Sequence, residues 1–379
     1  MKSTPLRVLC FPKQGGNPYL NQLSSHLEAA GLQVDEFSFP VAFRRRYDVF
    51  HIHWPDTHLR SESWWRSFGK HVRLGLLCAL MRLRGTRIVW TLHNLKAHEK
   101  NHWIGNFLYP RWWPRACTHL ISLTESGAEM VRAMYPALRD KPTAIIPHGH
   151  YRDIFPQPRS RRECREALGL PVEPFTFVFF GSIRRYKNVA WLVEVFRRLP
   201  GSHVQLLVAG EPVVGMRAED VEGAAAGDPR VHLHLRHIPD AEVPTCLGAA
   251  DLVVTPFSSV LNSGSVMLAL SMNRRVLAPR VGALPELQQA VGANWLDLYD
   301  GALDVRTLQE ARARIERQDP NETVDLSAFD WPAIAAATVA LYRHSGPGNP
   351  VHAHAPTAGR GPAAALSASE QAPSTVVST

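Results

Sequence analysis

The sequence predicts an α/β protein built as two parallel-sheet halves in tandem, followed by an unstructured tail. Three observations predict this. Short apolar runs recur along the chain, separated by stretches with helical spacing, which is the pattern of parallel strands joined by crossover helices. The series begins afresh at Phe175 after an Arg- and Pro-rich connection, Tyr151 to Leu170. Beyond His344 the chain is mostly Ala, Pro, Gly, Ser and Thr, too poor in bulky apolar residues to build a core.

The elements follow in order. Leu6 to Phe11 reads as a buried first strand, and the loop 12–18 carries Gly15-Gly16-Asn17. Tyr19 to Ala30 has helical spacing through Leu20, Leu23 and Leu27 and stops at Gly31. Further strands are expected at Val34 to Phe39, Val49 to His53, Arg87 to Leu92, His119 to Thr124 and Thr143 to Pro147. The second series comprises Phe175 to Phe180, Val204 to Ala209, Val231 to Leu235, Leu252 to Thr255 and Arg275 to Ala278. Helical segments lie between these strands, Val189 to Leu199 among them, and a last helix follows Phe329-Asp-Trp331. Doubly wound sheets bind ligands beyond their strand C-termini, which here carry Gly15-Gly16, His53, His93, Thr124 and His148. Neither half has a Gly-x-Gly-x-x-Gly fingerprint, which argues against a dehydrogenase.

A chain of 379 residues, 45% hydrophobic and 20% charged, has the composition of a globular protein of two domains. Its longest purely apolar run, Leu76 to Met81, is far short of a membrane span. No secretory leader precedes the first strand, and five scattered cysteines show neither knuckle nor redox spacing. A cytoplasmic protein with free thiols is expected. The net charge of +8 is concentrated: Arg60 to Arg115 holds eleven Lys/Arg against Glu62 and Glu99. Such a basic region suits nucleic acid, anionic lipid or a phosphorylated substrate.

One stretch organises the second half. The strand ending at Thr255 leads through Asn262-Ser263-Gly264-Ser265 into a run of helix formers, Val266 to Met272. A helix start presents unpaired N–H groups and partial positive charge, so this loop makes an anion seat. Ser263 and Ser265 are placed to cap the helix or to bond phosphate oxygens. An ordinary serine-capped connection is the plainer reading.

The residues around that loop resemble the nucleotide-sugar domain of the GT-B glycosyltransferases, in particular bacterial family 4-like enzymes of exopolysaccharide synthesis. Phe180-Gly-Ser-Ile-Arg-Arg-Tyr-Lys-Asn188 resembles their strand–glycine–basic loop, with Gly181 as the glycine and Lys187 on the lysine that binds the donor diphosphate. The arginine usual after the glycine is Ser182 here, leaving Arg184 or Arg185 for that role. Val208-Ala-Gly210, Ala250 to Pro256 and Gly282-Ala-Leu-Pro-Glu286 resemble the strand ends and the glycine and glutamate flanking the donor loop. The segment Trp331 to Tyr342 resembles a helix that crosses back to the first domain. The resemblance implies a GT-B fold of two Rossmann-like domains with a cleft between them. It places an acceptor domain at 1–160, a nucleotide-sugar domain at 171–328, a crossover helix at 329–345 and a disordered tail at 346–379. One departure matters. The two donor-loop glutamates of retaining enzymes correspond to Val260 and Leu268, so retention is not carried over.

Glycosyl transfer needs the leaving diphosphate stabilised and the acceptor hydroxyl deprotonated. Lys187, Arg184 or Arg185 and the amides of Asn262 to Ser265 would meet the first need without a metal, and Glu286 is expected to join Gly181 and these groups in binding the nucleotide sugar. For the second, His93 or Glu99 in the first domain is the candidate base, a histidine beside a carboxylate having a pKa near neutrality. Gly15, Gly16, Asn17, His53, His148 and His150 are candidate cleft or acceptor residues. His93, His98 and His102 lack the helix and second carboxylate of a metal site. Trp65, Phe68, Val72, Leu76, Ala79 and Leu83 form a helical stripe flanked by Arg66, Lys70 and Arg73, with Leu76 to Leu83 expected to pack partly on the sheet. Trp103, Trp112 and Trp113 with Arg111 and Arg115 extend the theme. Aromatics and cations over Trp64 to Arg84 and Trp103 to Arg115 suit an anionic membrane surface.

The expectation is a metal-independent hexosyltransferase using a UDP- or GDP-sugar and a lipid-linked glycan acceptor, without a cofactor, at the inner face of the cell membrane. The alternatives are a sugar-nucleotide epimerase of the same build, and a basic nucleic-acid-binding protein without a recognised module.

Overall fold

The computed structural model describes residues 5–15, 17–59, 61, 63–93, 103–213 and 215–344. The first lobe runs β1 (Arg7–Phe11), α1 (Pro18–Ala29), β2 (Gln33–Glu36), α2 (Phe39–Arg44), β3 (Val49–Ile52), α3 (Pro55–Leu59), α4 (Trp64–Leu83), β4 (Arg87–Leu92), α5 (Trp103–Ala116), β5 (His119–Ser122), α6 (Glu125–Met134) and β6 (Thr143–Ile145). The second runs α7 (Arg161–Ala167), β7 (Phe175–Phe180), α8 (Val189–Arg197), β8 (Val204–Ala209), α9 (Ala218–Ala225), β9 (Val231–His234), α10 (Val243–Gly248), β10 (Leu252–Val254), α11 (Gly264–Ser271), β11 (Val276–Pro279), α12 (Leu284–Val291), β12 (Leu296–Tyr299) and α13 (Val305–Ile315). The last helix is α14 (Trp331–Arg343). The segment expected to form the disordered tail, 346–379, lies outside the described residues.

Each lobe is a six-stranded parallel sheet, ordered β2-β1-β3-β4-β5-β6 in the first and β12-β11-β10-β7-β8-β9 in the second. The central strands are buried on both faces, as parallel strands covered by helices must be; Phe175 to Phe180 is buried throughout, whereas the edge strands β2 and β9 are partly exposed. In both sheets the strand order reverses beside the first strand, between β1 and β3 and between β7 and β10. Crevices open at such points. The loops after β7 and β10 therefore face one crevice, and those after β1 and β3 face the other.

The α14 helix crosses back. Its Trp331, Ile334, Ala335, Val339 and Tyr342 share a core with Val8, Leu20 and Val49 of the first lobe. Trp331 is fully buried and donates its indole N–H to the His150 carbonyl at 2.8 Å. Gly149 has to be glycine, since a β-carbon there would enter the Trp331 ring. The connection is already part of the second core, where Tyr151, Phe155 and Cys164 are buried.

Three elements depart from the sequence expectation, the first being β12, a sixth strand of the second sheet that the sequence did not lead one to expect. Val34 to Phe39 does not continue as one strand: Ser38 caps a new helix, its hydroxyl accepting from the Val41 amide, and Phe39 belongs to α2. In α4 the face turned to the protein is Ser67, His71, Leu74, Leu77, Cys78 and Met81. The stripe through Trp65, Phe68, Val72, Leu76 and Leu83 faces outward, Leu76 being 63% and Leu83 87% exposed. Leu76 and Leu83 therefore do not pack on the sheet, because a second apolar face of the same helix does.

Candidate active site

The cleft between the lobes holds a cavity of about 590 Å³. The first lobe contributes Asn17 and Pro18 at the start of α1; the second contributes Gly181, Ser182, Arg184, Gly210, Gly264, Ser265 and Leu268, with Tyr151 and Phe155 from the connection. Asn17 caps α1, its side-chain oxygen accepting from the Tyr19 amide at 3.0 Å.

The basic loop after β7 turns on Gly181, whose φ of 111° suits glycine. A β-carbon at Gly181 would lie 3.2 Å from Ser265 Oγ and 3.3 Å from Lys187 Nζ. Three sequence-predicted residues from two loops thus meet at one point. Lys187 is 5% exposed and its ammonium sits 5.8 Å and 5.7 Å from the Phe179 and Phe257 ring centres. Burial, reinforced by the nearby positive charge of Arg184, pulls its pKa down to about 8. Among the described residues no carboxylate pairs with it. A buried ammonium without an anion is costly unless a ligand supplies one. Of the two candidate arginines, Arg184 lines the cleft and Arg185 is exposed.

Ser263 caps α11, its hydroxyl accepting from the Val266 amide at 3.2 Å. Asn262 has a buried side-chain nitrogen without a partner. Leu268, which the resemblance sets against a donor-loop glutamate, is a wall of the cavity. Glu286 points elsewhere: its carboxylate accepts from the amides of Glu125 and Ser126 in the other lobe at 2.9 and 3.2 Å.

Behind the cleft lies a group of aromatic and imidazole rings. His53 Nδ1 and His93 Nε2 are 3.0 Å apart, and Tyr19 packs edge-on to His93 at 5.2 Å between ring centres. His148 donates from Nδ1 to the Gly149 carbonyl at 2.8 Å, leaving Nε2 to face the Tyr151 hydroxyl at 3.4 Å. Burial, with His148 and His51 beside it, drives the His93 pKa well below its usual value. The expected near-neutral titration is thus corrected: desolvation of the imidazolium outweighs any stabilising charge. Glu99, the alternative base, lies outside the described residues, as do Gly16, His98 and His102. Gly15 is exposed. His150 leaves the cleft to bind Asp330 at 3.0 Å, where it anchors the start of α14.

Tyr151, Phe155, His237, Ile238 and Asp240 also line the cavity, unforeseen from the sequence. Their signal was positional. Each follows a strand end, three to ten residues on, and Phe155, His237, Ile238 and Asp240 lie in no motif.

Residues 174–300 match the family description Glycosyl transferases group 1. A GDP-mannose:glycolipid 4-beta-D-mannosyltransferase of Xanthomonas campestris pv. campestris is 34% identical over 323 residues, spanning 85% of this chain and 87% of that protein. Sucrose-phosphate synthase from Thermosynechococcus elongatus superposes with a TM-score of 0.64 at 18% identity, over 90% of this chain and 98% of that one. HepE of Anabaena, solved in complex with UDP and glucose, gives 0.58 at 16% identity, over 89% and 97%. These two likenesses concern the fold, which is GT-B. With relatedness running along most of its length and two parallel-sheet lobes facing one cleft, the chain belongs to the group 1 glycosyltransferases.

Proposed function

We propose that the enzyme transfers a hexose, mannose being the first candidate, from its GDP-linked form to a hydroxyl of a lipid-linked glycan. The observation that carries this reading is Lys187, a buried cation with no carboxylate partner among the described residues, directly behind the cleft-lining Gly181. The donor and acceptor classes come from the Xanthomonas relative, whose name specifies GDP-mannose, a glycolipid and a β-linked product. The diphosphate lies against Lys187, Arg184, Ser265 and the first amides of α11. These groups are fixed before the reaction, so charge on the leaving group is met without reorganisation. We take the transfer to be metal-independent on that basis, with Arg185 and Glu286 outside the diphosphate's first contacts.

A β-product from an α-linked sugar nucleotide requires inversion, hence a base on the acceptor hydroxyl. Leu268 in place of a glutamate fits a site not built for retention. The base is assigned to the first lobe, to His93 or Glu99. Burial keeps the His93 imidazole neutral, which leaves a lone pair for a proton while weakening it as a base, so Glu99 stands as the alternative. Domains are assigned as acceptor lobe 1–160, donor lobe 171–328 and crossover 329–345.

The outward face of α4 and α5 completes the proposal. Trp64, Trp65, Phe68, Leu76, Trp103 and Phe107 are exposed there, among Arg66, Arg73, Arg111 and Arg115. Trp113 is excluded from this face because it is fully buried, and Trp112 is bonded to His71 at 2.8 Å. Among the described residues no helix is long and apolar enough to cross a membrane. We propose peripheral attachment to the cytoplasmic face of an anionic bilayer, where a lipid-linked acceptor resides.

The test is calorimetric titration with GDP, UDP and their sugars, followed by product analysis with and without a glycolipid acceptor and with EDTA. Preferential GDP binding, acceptor-dependent transfer of a β-hexose and EDTA-resistant turnover are expected. Conversion of the donor alone into an epimer would overturn the assignment.

A further inference from the structure

We infer that Glu286 is a positioning residue, a latch that joins the two lobes and sets the donor loop, and not a ligand of the sugar. The carboxylate stands at the start of α12 in the second lobe. It accepts from the Glu125 amide at 2.9 Å, the Ser126 amide at 3.2 Å and the Ser126 hydroxyl at 3.1 Å, all in the first lobe. The next amide, of Gly127, bonds the Thr124 hydroxyl at 3.2 Å. The first three N–H groups of α6 are therefore satisfied, two of them by a side chain 160 residues away or more. A carboxylate at a helix N-terminus is also favoured by the helix dipole.

The same contact reaches the donor loop. Leu261 is buried, with a methyl 3.4 Å from where a Gly127 β-carbon would stand, while its carbonyl accepts from the Ala283 amide at 3.0 Å. Gly282 has φ of 57° and lies so close to the Val260 carbonyl that no side chain fits. The stretch Val260-Leu261 is thus held between α6 of one lobe and the turn before Glu286 of the other. Three residues further on the chain enters α11 at Gly264, the edge of the donor cavity. Releasing Glu286 frees both the lobe contact and the backbone that delivers the α11 amides. This inference rests on the proposed donor site for its catalytic consequence, though the latch itself does not require a ligand.

The test uses the full chain with Glu286→Gln, Ser126→Ala and both together. The glutamine keeps the shape but replaces one acceptor oxygen by a donor facing N–H groups. Spin labels on Ser25→Cys and Glu219→Cys, exposed positions of the two lobes, report the interlobe distance; the native cysteines are all buried. The expected result is a broader, longer distance distribution in unliganded Glu286→Gln. Turnover should fall roughly tenfold or more, the scale of a small misplacement of reacting groups, with Kd for GDP or UDP unchanged. Ser126→Ala should shift both readouts the same way and add little in the double variant; it serves alone should Glu286→Gln not fold. An unchanged label distance would overturn the latch. So would sugar-nucleotide binding that weakens while nucleoside diphosphate binding does not, with Ser126→Ala silent. If the wild type binds no nucleoside diphosphate, the donor assignment fails, and the label distances still decide the latch.

Discussion

The hydroxyl of Tyr342, on the last helix, lies 2.6 Å from Nδ1 of His51 in the middle of the first sheet. The other ring nitrogen is 2.6 Å from the Thr91 hydroxyl. A neutral ring satisfies both contacts, one nitrogen donating and the other accepting. All of this is sealed from water, so Tyr342→Phe leaves a buried imidazole nitrogen unpaired. We expect a loss of about 1–3 kcal/mol in stability, measured by urea unfolding, with turnover per folded molecule preserved.

Eleven of the twelve strands among the described residues were legible in the sequence, because a buried parallel strand is a short apolar run between turn residues; β12, with Asp297 inside a run of only four residues, was not. The Ser263-capped turn into α11 was legible too, since strand, Gly/Ser turn and helix are contiguous there. The partner of Glu286 was not, because Ser126 is set by how two lobes meet. Neither was the direction of α4. Trp65, Phe68 and Leu76 make a good apolar stripe, but Leu74, Leu77 and Met81 make another, and periodicity alone does not say which faces the sheet.

Lys187 carries a coupled pH prediction. Its pKa of about 8 in the free enzyme means that the ammonium is partly deprotonated in mildly alkaline solution. In the proposed donor site the diphosphate would bind the protonated form and raise that pKa, so that binding takes up a proton. Affinity for GDP should be constant well below pH 8 and weaken about tenfold per unit above it. Lys187→Ala should remove this dependence and lower turnover by on the order of a hundredfold. Calorimetry in buffers of different ionisation enthalpy would count the proton directly.

Acid should unfold the first lobe early. Burial lowers His51 to about 3 and His148 to about 4, and takes His53 and His93 well below their usual value. These rings stay neutral when folded, whereas the unfolded chain binds protons below about pH 6.5. Stability is therefore full above that pH and declines as pH falls toward 4. Each ring steepens the loss by up to about 1.4 kcal/mol per pH unit. Urea midpoints between pH 7.5 and 4.5 would show the slope, and His51→Asn would flatten it.

The outward face of α4 and α5 makes the last prediction. Leu76 and Leu83 cover nothing in the protein, and Trp65 and Trp103 stand 58% and 66% exposed beside them. Arg111 lies over the Phe107 ring at 3.6 Å and Arg66 over Trp65 at 5.1 Å, holding cations against the faces of the exposed rings. Apolar side chains inserted below a layer of arginines match the boundary between acyl chains and anionic headgroups. Wild-type protein should co-sediment with vesicles containing phosphatidylglycerol and less with phosphatidylcholine alone, with salt weakening but not abolishing binding. Replacing Trp65, Phe68 and Leu76 together by serine should abolish sedimentation while GDP affinity stays unchanged, because none of the three lines the cleft. Transfer to a short, water-soluble acceptor should survive in that variant, and transfer to a membrane-embedded one should fall. Equal sedimentation of the variant and the wild type would remove the membrane from the proposal and leave the sugar chemistry standing.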